Sequence, residues 1–477
     1  MLELLIGLPI VAAAVAFLCP SDRLRPWLLP AAGLAHLGTL GASAYAGQPA
    51  APRVWLGFDA LGTLLLGIVS LLFLLCGLYA PRYLALRAER PNRIFCTCYL
   101  LFLAAASVVL LSRHLGLLWV AVEALTLVTA PLVYFNRNSR SIAATWNYLM
   151  ISSVGIALAL LGSLFLAYSA HIGGSGTSLL FDDLALNAGG FAKPWLRAAF
   201  VLLLLGYGTK MGLAPLHTWK PEAYGEAPGI VGAILAGGVT SCAFAALLRV
   251  YRVINIAGEG PFARKLLVFM GLLSMAWAAA FMVRQRDFKK LLAYSSIEHM
   301  GILVLGIGIG GAGVWGAILH AINNGLTKGA MFLTAGNIHR AYGAKTTGEV
   351  RGALRRVPVS AGVFLAAFFA ITGSPPFGPF VSQFTVLNAA IGGGHGRAAA
   401  VFLILLGIVF FGMGATVLSI LQGTPSVEAE ATSFRDEVAN VAPAIAAILI
   451  VLVLGIWIPD PLGDLIDQAA AGLEVRP

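Results

Sequence analysis

Residues 202–228 read LLLLGYGTKMGLAPLHTWKPEAYGEAP and combine an apolar run, a lysine and a series of prolines. Lys210 lies near the end of the apolar run, and Pro215 and Pro221 interrupt any helix that continues beyond it. A membrane protein tolerates such an interruption where the freed backbone groups line a wet cavity. The segment therefore predicts a broken membrane helix with an ionisable group beside the break.

The composition of the whole chain is that of a polytopic membrane protein. Of its 477 residues, 59% are hydrophobic and 11% are charged, whereas an ordinary soluble domain has about 25% charged residues. This composition excludes a disordered chain, a nucleic-acid-binding domain and a soluble enzyme. At about 20 apolar residues per span, we expect an all-α membrane protein with about 14 transmembrane helices.

Fourteen apolar runs follow one another, without a soluble domain between them. They lie at 2–19, 27–47, 60–80, 95–112, 114–135, 145–169, 196–215, 228–251, 265–283, 295–312, 314–338, 358–390, 398–422 and 440–458. The connections after odd-numbered runs carry most of the lysines and arginines, and Lys220 falls in the connection after the seventh run. Because positively charged loops stay cytoplasmic, we expect both termini on the outer side.

Three ionisable residues lie well inside apolar runs. They are Glu123 in LLWVAVEALTLV, Lys210, and Lys328 in LHAINNGLTKGAMFL. A charge at the bilayer centre costs several kcal/mol, so it has a partner, water or a function. A single Lys–Glu pair could also be a packing device. Two lysines, a glutamate and a histidine on separate spans favour an ion path.

A polar stripe accompanies Lys328. His320, Asn324 and Lys328 are spaced four residues apart, so they share one face of a helix. Glu298 and His299, in KKLLAYSSIEHMG, are weaker candidates because they lie closer to a basic connection.

A second proline-rich break occurs in the twelfth run, at Pro375 and Pro376 in ITGSPPFGPFVSQF. Broken helices at matching positions in two halves indicate a transport site, although a simple proline kink is the alternative. His217, just after the first break, is a weaker candidate. No nucleophile-elbow, zinc-protease, phosphate-loop or cysteine-rich motif is present, so the sequence predicts no catalytic site and no metal site.

Four segments carry a family resemblance. KMGLAPLHTWKPEAYGEAP, DFKKLLAYSSIEHMG, LHAINNGLTKGAMFLTAGNI and TGSPPFGPF together resemble the antiporter-like, proton-translocating membrane subunits of respiratory complex I. SSIEHMG and LTKGAMFLTAGNI are more similar to the F-type membrane subunit of hydrogenase-4 and formate hydrogenlyase. The resemblance covers about 95–395. It implies broken helices 7 and 12 and two inverted five-helix repeats within one membrane domain, 1–477.

The implied division of this domain has four parts. They are N-terminal helices 1–3 (1–94), a first repeat with helices 4–8 (95–254), a second repeat with helices 9–13 (265–422) and a C-terminal helix (440–458).

The resemblance also implies roles for individual residues. Glu123 matches the glutamate of the family's fifth helix, and Lys210 matches the lysine of its seventh. Lys328 and His320 match the lysine and the first histidine of the eleventh. The implied mechanism has Glu123 bias the protonation of Lys210, which passes its proton towards His320 and Lys328.

Three positions depart from the family pattern. Ser241 stands where the eighth helix usually has a lysine or another polar relay, and Asn324 replaces the second histidine of the eleventh. Gln383 stands where the twelfth helix usually has a lysine or glutamate. Because glutamine cannot titrate, the usual outer exit would need water or another route.

The resemblance implies partners as well. We expect other integral membrane subunits and a peripheral redox module at a bacterial inner membrane, and no nucleic acid. Fe–S and Ni–Fe cofactors would belong to those partners, and this chain would be a non-catalytic subunit without cofactor, with sodium as the alternative ion. Two other functions stay open. One is an ion-coupled subunit of an inorganic-carbon uptake or cation/proton antiporter complex, and the other is a largely structural subunit with a degenerate ion path.

Overall fold

Residues 1–46, 55–174, 178–427, 429 and 432–474 are described by the computed structural model of this chain. In these ranges the backbone is predominantly helical, and its extended pairings are three isolated β-bridges. The first half forms α1 (Leu2–Leu18), α2 (Leu28–Tyr45), α3 (Ala60–Ala85), α4 (Arg93–Leu111), α5 (Leu115–Val133), α6 (Ser139–Ile172), α7 (Phe181–Leu186), α8 (Lys193–Met211), α9 (Trp219–Glu226), α10 (Gly229–Ile234) and α11 (Thr240–Ile254). The second half forms α12 (Gly260–Met282), α13 (Phe288–Ile309), α14 (Ala312–Tyr342), α15 (Ala353–Arg356), α16 (Pro358–Ile371), α17 (Gly378–Gly392), α18 (Gly396–Leu421), α19 (Val438–Ile456) and α20 (Asp460–Ala471).

The membrane-spanning segments differ in how apolar they are. Within the described residues, eight segments are long and apolar enough to cross a membrane, and α1 and α16 are shorter apolar helices. Other spans are more polar; α14, for example, carries a buried lysine. With α8 and α9, α10 and α11, and α16 and α17 each taken as one span, the fold is a bundle of about 14 transmembrane helices. The predicted fold class is confirmed.

Helices 7 and 12 are broken, as predicted. Residues 212–218 separate α8 from α9, and residues 372–377 separate α16 from α17. Each break has a left-handed glycine within its first two residues, Gly212 at φ 84° and Gly373 at φ 74°. Only glycine adopts this conformation without strain, so these residues end the preceding helices. A proline at a cis peptide bond follows in each break.

Three of the four prolines expected at the breaks lie in them, namely Pro215, Pro375 and Pro376. Pro221 is different, because it occupies the first turn of α9. The first turn of a helix has no partner for its N–H groups, so a proline there does not interrupt the helix.

The packing of the broken helices is similar in the two halves. α6 contacts both α8 and α9, and α14 contacts both α16 and α17. The third helix of each predicted repeat therefore packs against both arms of a broken helix. α14 also contacts α3, α10, α13 and α19, which makes it the central helix of the bundle. The repeat boundaries at 95–254 and 265–422 stay a prediction.

The connections alternate between two ends of the bundle. Odd-numbered connections meet at one end, where Arg87, Glu226 and Lys345 line one cavity. At the other end, Met1 lies beside the last turn of α2 and Glu474 lies beside the start of α14. Both of these residues are therefore at the same end. Which side of the membrane this end faces stays a prediction.

Candidate functional site

The first cluster of polar side chains surrounds Lys210 in the last turn of α8, where the lysine is buried. Its Nζ donates hydrogen bonds to Thr126 Oγ1 at 2.5 Å and to Tyr148 OH at 3.0 Å, and it lies 3.5 Å from Ser152 Oγ. The ammonium also lies 4.6 Å from the centroid of the Tyr148 ring, within the range of a cation–π interaction. Three hydroxyls from α5 and α6 thus solvate this lysine.

Glu123 belongs to the same cluster but does not touch the lysine directly. Thr126 Oγ1 lies 3.4 Å from Glu123 Oε2 and accepts the hydrogen bond from Lys210. Glu123 and Lys210 also interact electrostatically. Glu123 is partly exposed on α5, whereas Thr126 is buried. The sequence prediction named the glutamate and the lysine but missed the threonine between them.

The second cluster surrounds Lys328, which is fully buried near the middle of α14. Its Nζ lies 3.4 Å from the carbonyl oxygen of Leu292 on α13. The carboxylate of Glu298, farther along α13, interacts electrostatically with this ammonium. Glu298 is 2% exposed, so this carboxylate is more deeply buried than Glu123. The structure thus assigns Glu298, a weaker sequence candidate, to the same cluster as Lys328, a principal one.

A chain of hydrogen-bonding groups extends from this cluster across three helices. Glu298 Oε2 lies 3.8 Å from His299 Nε2, which is too far for a hydrogen bond, and it has no hydrogen-bond partner among the described residues, so the hydrogen-bonded chain begins at His299. His299 Nδ1 lies 2.9 Å from His320 Nε2, and His320 Nδ1 lies 2.9 Å from Ser382 Oγ. Neutral imidazoles donate through one nitrogen and accept through the other, so these groups can relay a proton from α13 through α14 to α17. Ser382, next to Gln383, was missed by the sequence prediction.

Two of the residues at positions that depart from the family pattern bond only to backbone. Ser241 Oγ donates to the carbonyl oxygen of Gly237 at 2.6 Å, within its own helix. Gln383 Nε2 lies 3.4 Å from the carbonyl oxygen of Ile371, beside the second break. Neither side chain hydrogen-bonds to a lysine of the two clusters among the described residues.

The two remaining candidates are buried with an unpaired polar atom. Asn324 Oδ1 and His217 Nδ1 have no hydrogen-bond partner among the described residues. The His217 ring packs edge-on against Trp277 at 5.4 Å. Buried polar groups usually have a partner or an ordered water, so both atoms are places where water is expected.

Several basic residues assigned to connections are buried instead, Lys220 most completely. Lys220 Nζ donates to the carbonyl oxygen of Met211 at the end of α8. Lys289 Nζ donates to the carbonyl oxygen of Ala227 at 2.5 Å. A lysine that is enclosed by protein does not act as a loop charge, so the assignment of Lys220 to a polar connection is wrong. Its position in a Pro-rich segment outside the apolar runs concealed its burial.

Two adjoining cavities with polar linings open at the end of the bundle where the odd-numbered connections meet. One of these cavities has a volume of about 430 Å³ and is lined by residues that include Lys289, His339 and Arg340. Beside it, Lys345 Nζ pairs with Glu226 Oε1 at 2.6 Å. These charged groups provide a hydrated approach to the start of α10. No group of three or more potential metal ligands occurs among the described residues.

An all-helical membrane bundle with a buried lysine beside the first broken helix and another against the second defines an ion-transporting membrane subunit. Residues 112–413 match the family described as NADH:quinone oxidoreductase/Mrp antiporter, TM, and the chain belongs to this family. The predicted family is therefore confirmed, and the chain is an antiporter-like membrane subunit.

Individual relatives agree with this assignment. The chain is 32% identical over 413 residues to the hydrogenase-4 component F homolog of Methylacidiphilum infernorum, covering 84% of this chain and 85% of that protein. It is 28% identical over 438 residues to NADH-quinone oxidoreductase subunit N of Desulforudis audaxviator, covering 89% and 86%. Its fold is similar to that of a chain of respiratory complex I from Thermus thermophilus, with a TM-score of 0.84 and 22% identity over 100% of both chains.

Proposed function

We propose that this chain translocates protons along a path formed by Glu123, Lys210, Lys328 and the chain of groups from Glu298 to Ser382. The observation that carries the proposal is a buried lysine in each half of the bundle, held by hydroxyl or carbonyl oxygens and within the electrostatic influence of a carboxylate. Each pair holds a charge that can be moved by changing the protonation of one partner. A path of this kind stores and passes charge without a cofactor.

The chemistry of the path favours protons over sodium ions. Its central groups are ammonium and imidazole nitrogens, which bind and release protons. A dehydrated metal cation requires several oxygen ligands, and a lysine ammonium nearby repels it. The clusters around Lys210 and Lys328 each centre on such an ammonium.

The second half suggests how a proton passes Gln383. His320 connects His299 to Ser382 by hydrogen bonds of 2.9 Å. The Ser382 hydroxyl donates to the carbonyl oxygen of Pro379 at 3.0 Å, so it passes a proton onward after rotating away from that carbonyl. The Gln383 amide, which is also directed to a backbone carbonyl, cannot titrate. We therefore place the exit from the second cluster at Ser382 and not at Gln383.

The driving reaction belongs to partner subunits. The relatives that this chain resembles are named as components of a hydrogenase and of an NADH-quinone oxidoreductase. We propose that a peripheral redox module with Fe–S or Ni–Fe cofactors drives the path, in a bacterial inner membrane with both termini outside. Purification of the tagged chain in mild detergent, followed by mass spectrometry of the bound proteins, tests this assignment. A zinc protein or further antiporter subunits, in place of a redox module, would transfer the function to carbon uptake or cation exchange.

The path itself is tested by Lys210→Ala in the assembled complex, reconstituted in vesicles. An imposed potassium diffusion potential drives proton entry, which an enclosed pH-sensitive dye reports. We expect proton flux to fall by about tenfold or more, because the variant removes the ammonium at the first break. Lys265→Ala is the matched control, since this lysine is exposed on α12. Normal flux in Lys210→Ala, with the complex intact, would favour the largely structural subunit instead.

A further inference from the structure

Lys220 is a fully buried lysine that the path described so far does not use. It lies in α9, just after the first break, and 0% of its surface is exposed. Among the described residues its one hydrogen bond goes to the carbonyl oxygen of Met211. Burying an ammonium is costly unless it is paired or well solvated by polar groups. A lysine in this environment, without a carboxylate bonded to it, requires an explanation.

On one side, Lys220 is attached to the helix of the first cluster. Met211 is the last residue of α8 and follows Lys210 directly. Its carbonyl lies at the C-terminal end of the helix, where the partial negative charge of the helix dipole attracts a cation. Lys220 therefore extends back across the break, and its ammonium bonds to the carbonyl of the residue that directly follows Lys210.

Aromatic rings connect the same two lysines. The Tyr148 ring, which faces Lys210, lies 4.9 Å from the Trp219 ring, and Trp219 lies 6.0 Å from Tyr224. The ammonium of Lys220 is 5.7 Å from the centroid of the Tyr224 ring. All three rings are buried, so the two ammonium groups border a low-dielectric region in which charges interact strongly.

On the other side, Lys220 faces the second cluster. α9 packs against α13, and the Tyr224 ring beside the Lys220 ammonium lies 5.4 Å from the ring of Phe332, one turn after Lys328 on α14. At this position the charge of Lys220 also acts on Lys328 and on His299. Ser241 does not offer an alternative connection, because its hydroxyl is bonded to Gly237 within its own helix. Lys220 is thus bonded to the helix of one cluster while its charge acts on the other.

We infer that Lys220 is a third lysine of the ion path and links the Lys210 cluster to the Lys328 cluster. The inference rests on the proposed proton path. Two ammonium groups in one buried region would repel each other, so only one of Lys220 and Lys328 is expected to be charged at a time, and the exchange begins with a charged Lys220 and a neutral Lys328. When Lys220 gives up its proton and becomes a neutral amine, Lys328 accepts a proton and becomes an ammonium. The number of protons and the total charge of the pair are unchanged by this exchange.

Two substitutions at Lys220 separate this role from that of a helix cap. Lys220→Gln keeps an N–H donor for the Met211 carbonyl but cannot carry a proton, and Lys220→Leu removes both properties. Lys265→Leu is the control for loss of an exposed lysine. All variants are compared in vesicles at equal amounts of assembled complex, with proton flux measured across a range of pH, and with Lys210→Ala as the reference for a broken path.

We expect both Lys220 variants to lower proton flux by about tenfold or more, while Lys220→Gln assembles and unfolds at the same temperature as the unmodified complex. If Lys220→Gln has the same proton flux and the same pH profile as the unmodified complex, Lys220 only caps α8 and the inference is wrong. If Lys220→Leu fails to assemble, the proton flux and pH profile of Lys220→Gln alone decide between the two roles of Lys220. Loss of flux in Lys210→Ala but not in Lys220→Gln would refute this inference alone, whereas normal flux in both would refute the proton path.

Discussion

Replacing Thr126 by valine removes one buried hydroxyl and keeps the shape of the side chain. That hydroxyl accepts the 2.5 Å hydrogen bond from Lys210 and lies 3.4 Å from Glu123. It also lies 3.3 Å from the carbonyl of Val122 in its own helix. The substitution therefore separates the carboxylate from the ammonium without changing either of them.

The expected magnitude follows from the bonds that remain. Lys210 keeps Tyr148 at 3.0 Å and Ser152 at 3.5 Å, so one of its two close hydrogen bonds is lost. A hydrogen bond to a charged group contributes about 1.5–3 kcal/mol. If this contribution is present during proton transfer, its loss slows the step by about 10- to 100-fold.

The assay is proton flux into vesicles that contain the assembled complex, driven by a potassium diffusion potential. Thr240→Val is the matched control, because Thr240 is equally buried and its hydroxyl bonds only to Ala236 in its own helix, among the described residues. We expect a normal flux in the control and a slowed flux in Thr126→Val. Equal fluxes in the two variants would refute the idea that the threonine hydroxyl connects Glu123 to Lys210.

Two further substitutions probe other parts of the site. Glu298→Gln removes the buried carboxylate whose charge favours the ammonium form of Lys328. We expect a lower proton flux than in the unmodified complex, because that charge no longer supports protonation of the lysine, and the vesicle assay tests this. Gly212→Ala forces a side chain onto a residue at φ 84°, with the new Cβ 2.5 Å from Cδ of Lys220. We expect a loss of stability of at least about 1–2 kcal/mol, and unfolding equal to that of an alanine substitution at Gly258, which is also left-handed but has open space around it, would argue against the contact.

The sequence predicts those parts of the fold that are determined by residues close together in the chain. Runs of apolar residues determine where spans lie, and the glycine and proline pattern determines where α8 and α16 end. The spacing of His320, Asn324 and Lys328 placed them on one helix, and all three are buried in α14. Such features need no knowledge of which helices are neighbours.

The parts that escape prediction depend on contacts between distant segments. Thr126 is one of many threonines in apolar runs, and only its position beside Lys210, 84 residues later, distinguishes it. Lys220 lies in a polar, proline-rich stretch that reads as a surface connection. Its burial results from the packing of α9, after the break at Gly212, against α6 and α13. Neither relation leaves a periodic signal in the sequence.

The continuity of α14 determines where the bundle can open. This helix runs without interruption for 31 residues, and nearly all of its middle is buried. Its amide groups are therefore expected to exchange hydrogen for deuterium only in rare, extensive unfolding events. Residues 212–218 and 372–377 lie between regular helices, and each segment keeps a helical hydrogen bond at its first residue, so they are expected to open at lower free energy than α14. In an exchange experiment, these two short segments would report the working motions of the subunit, while α14 stays protected.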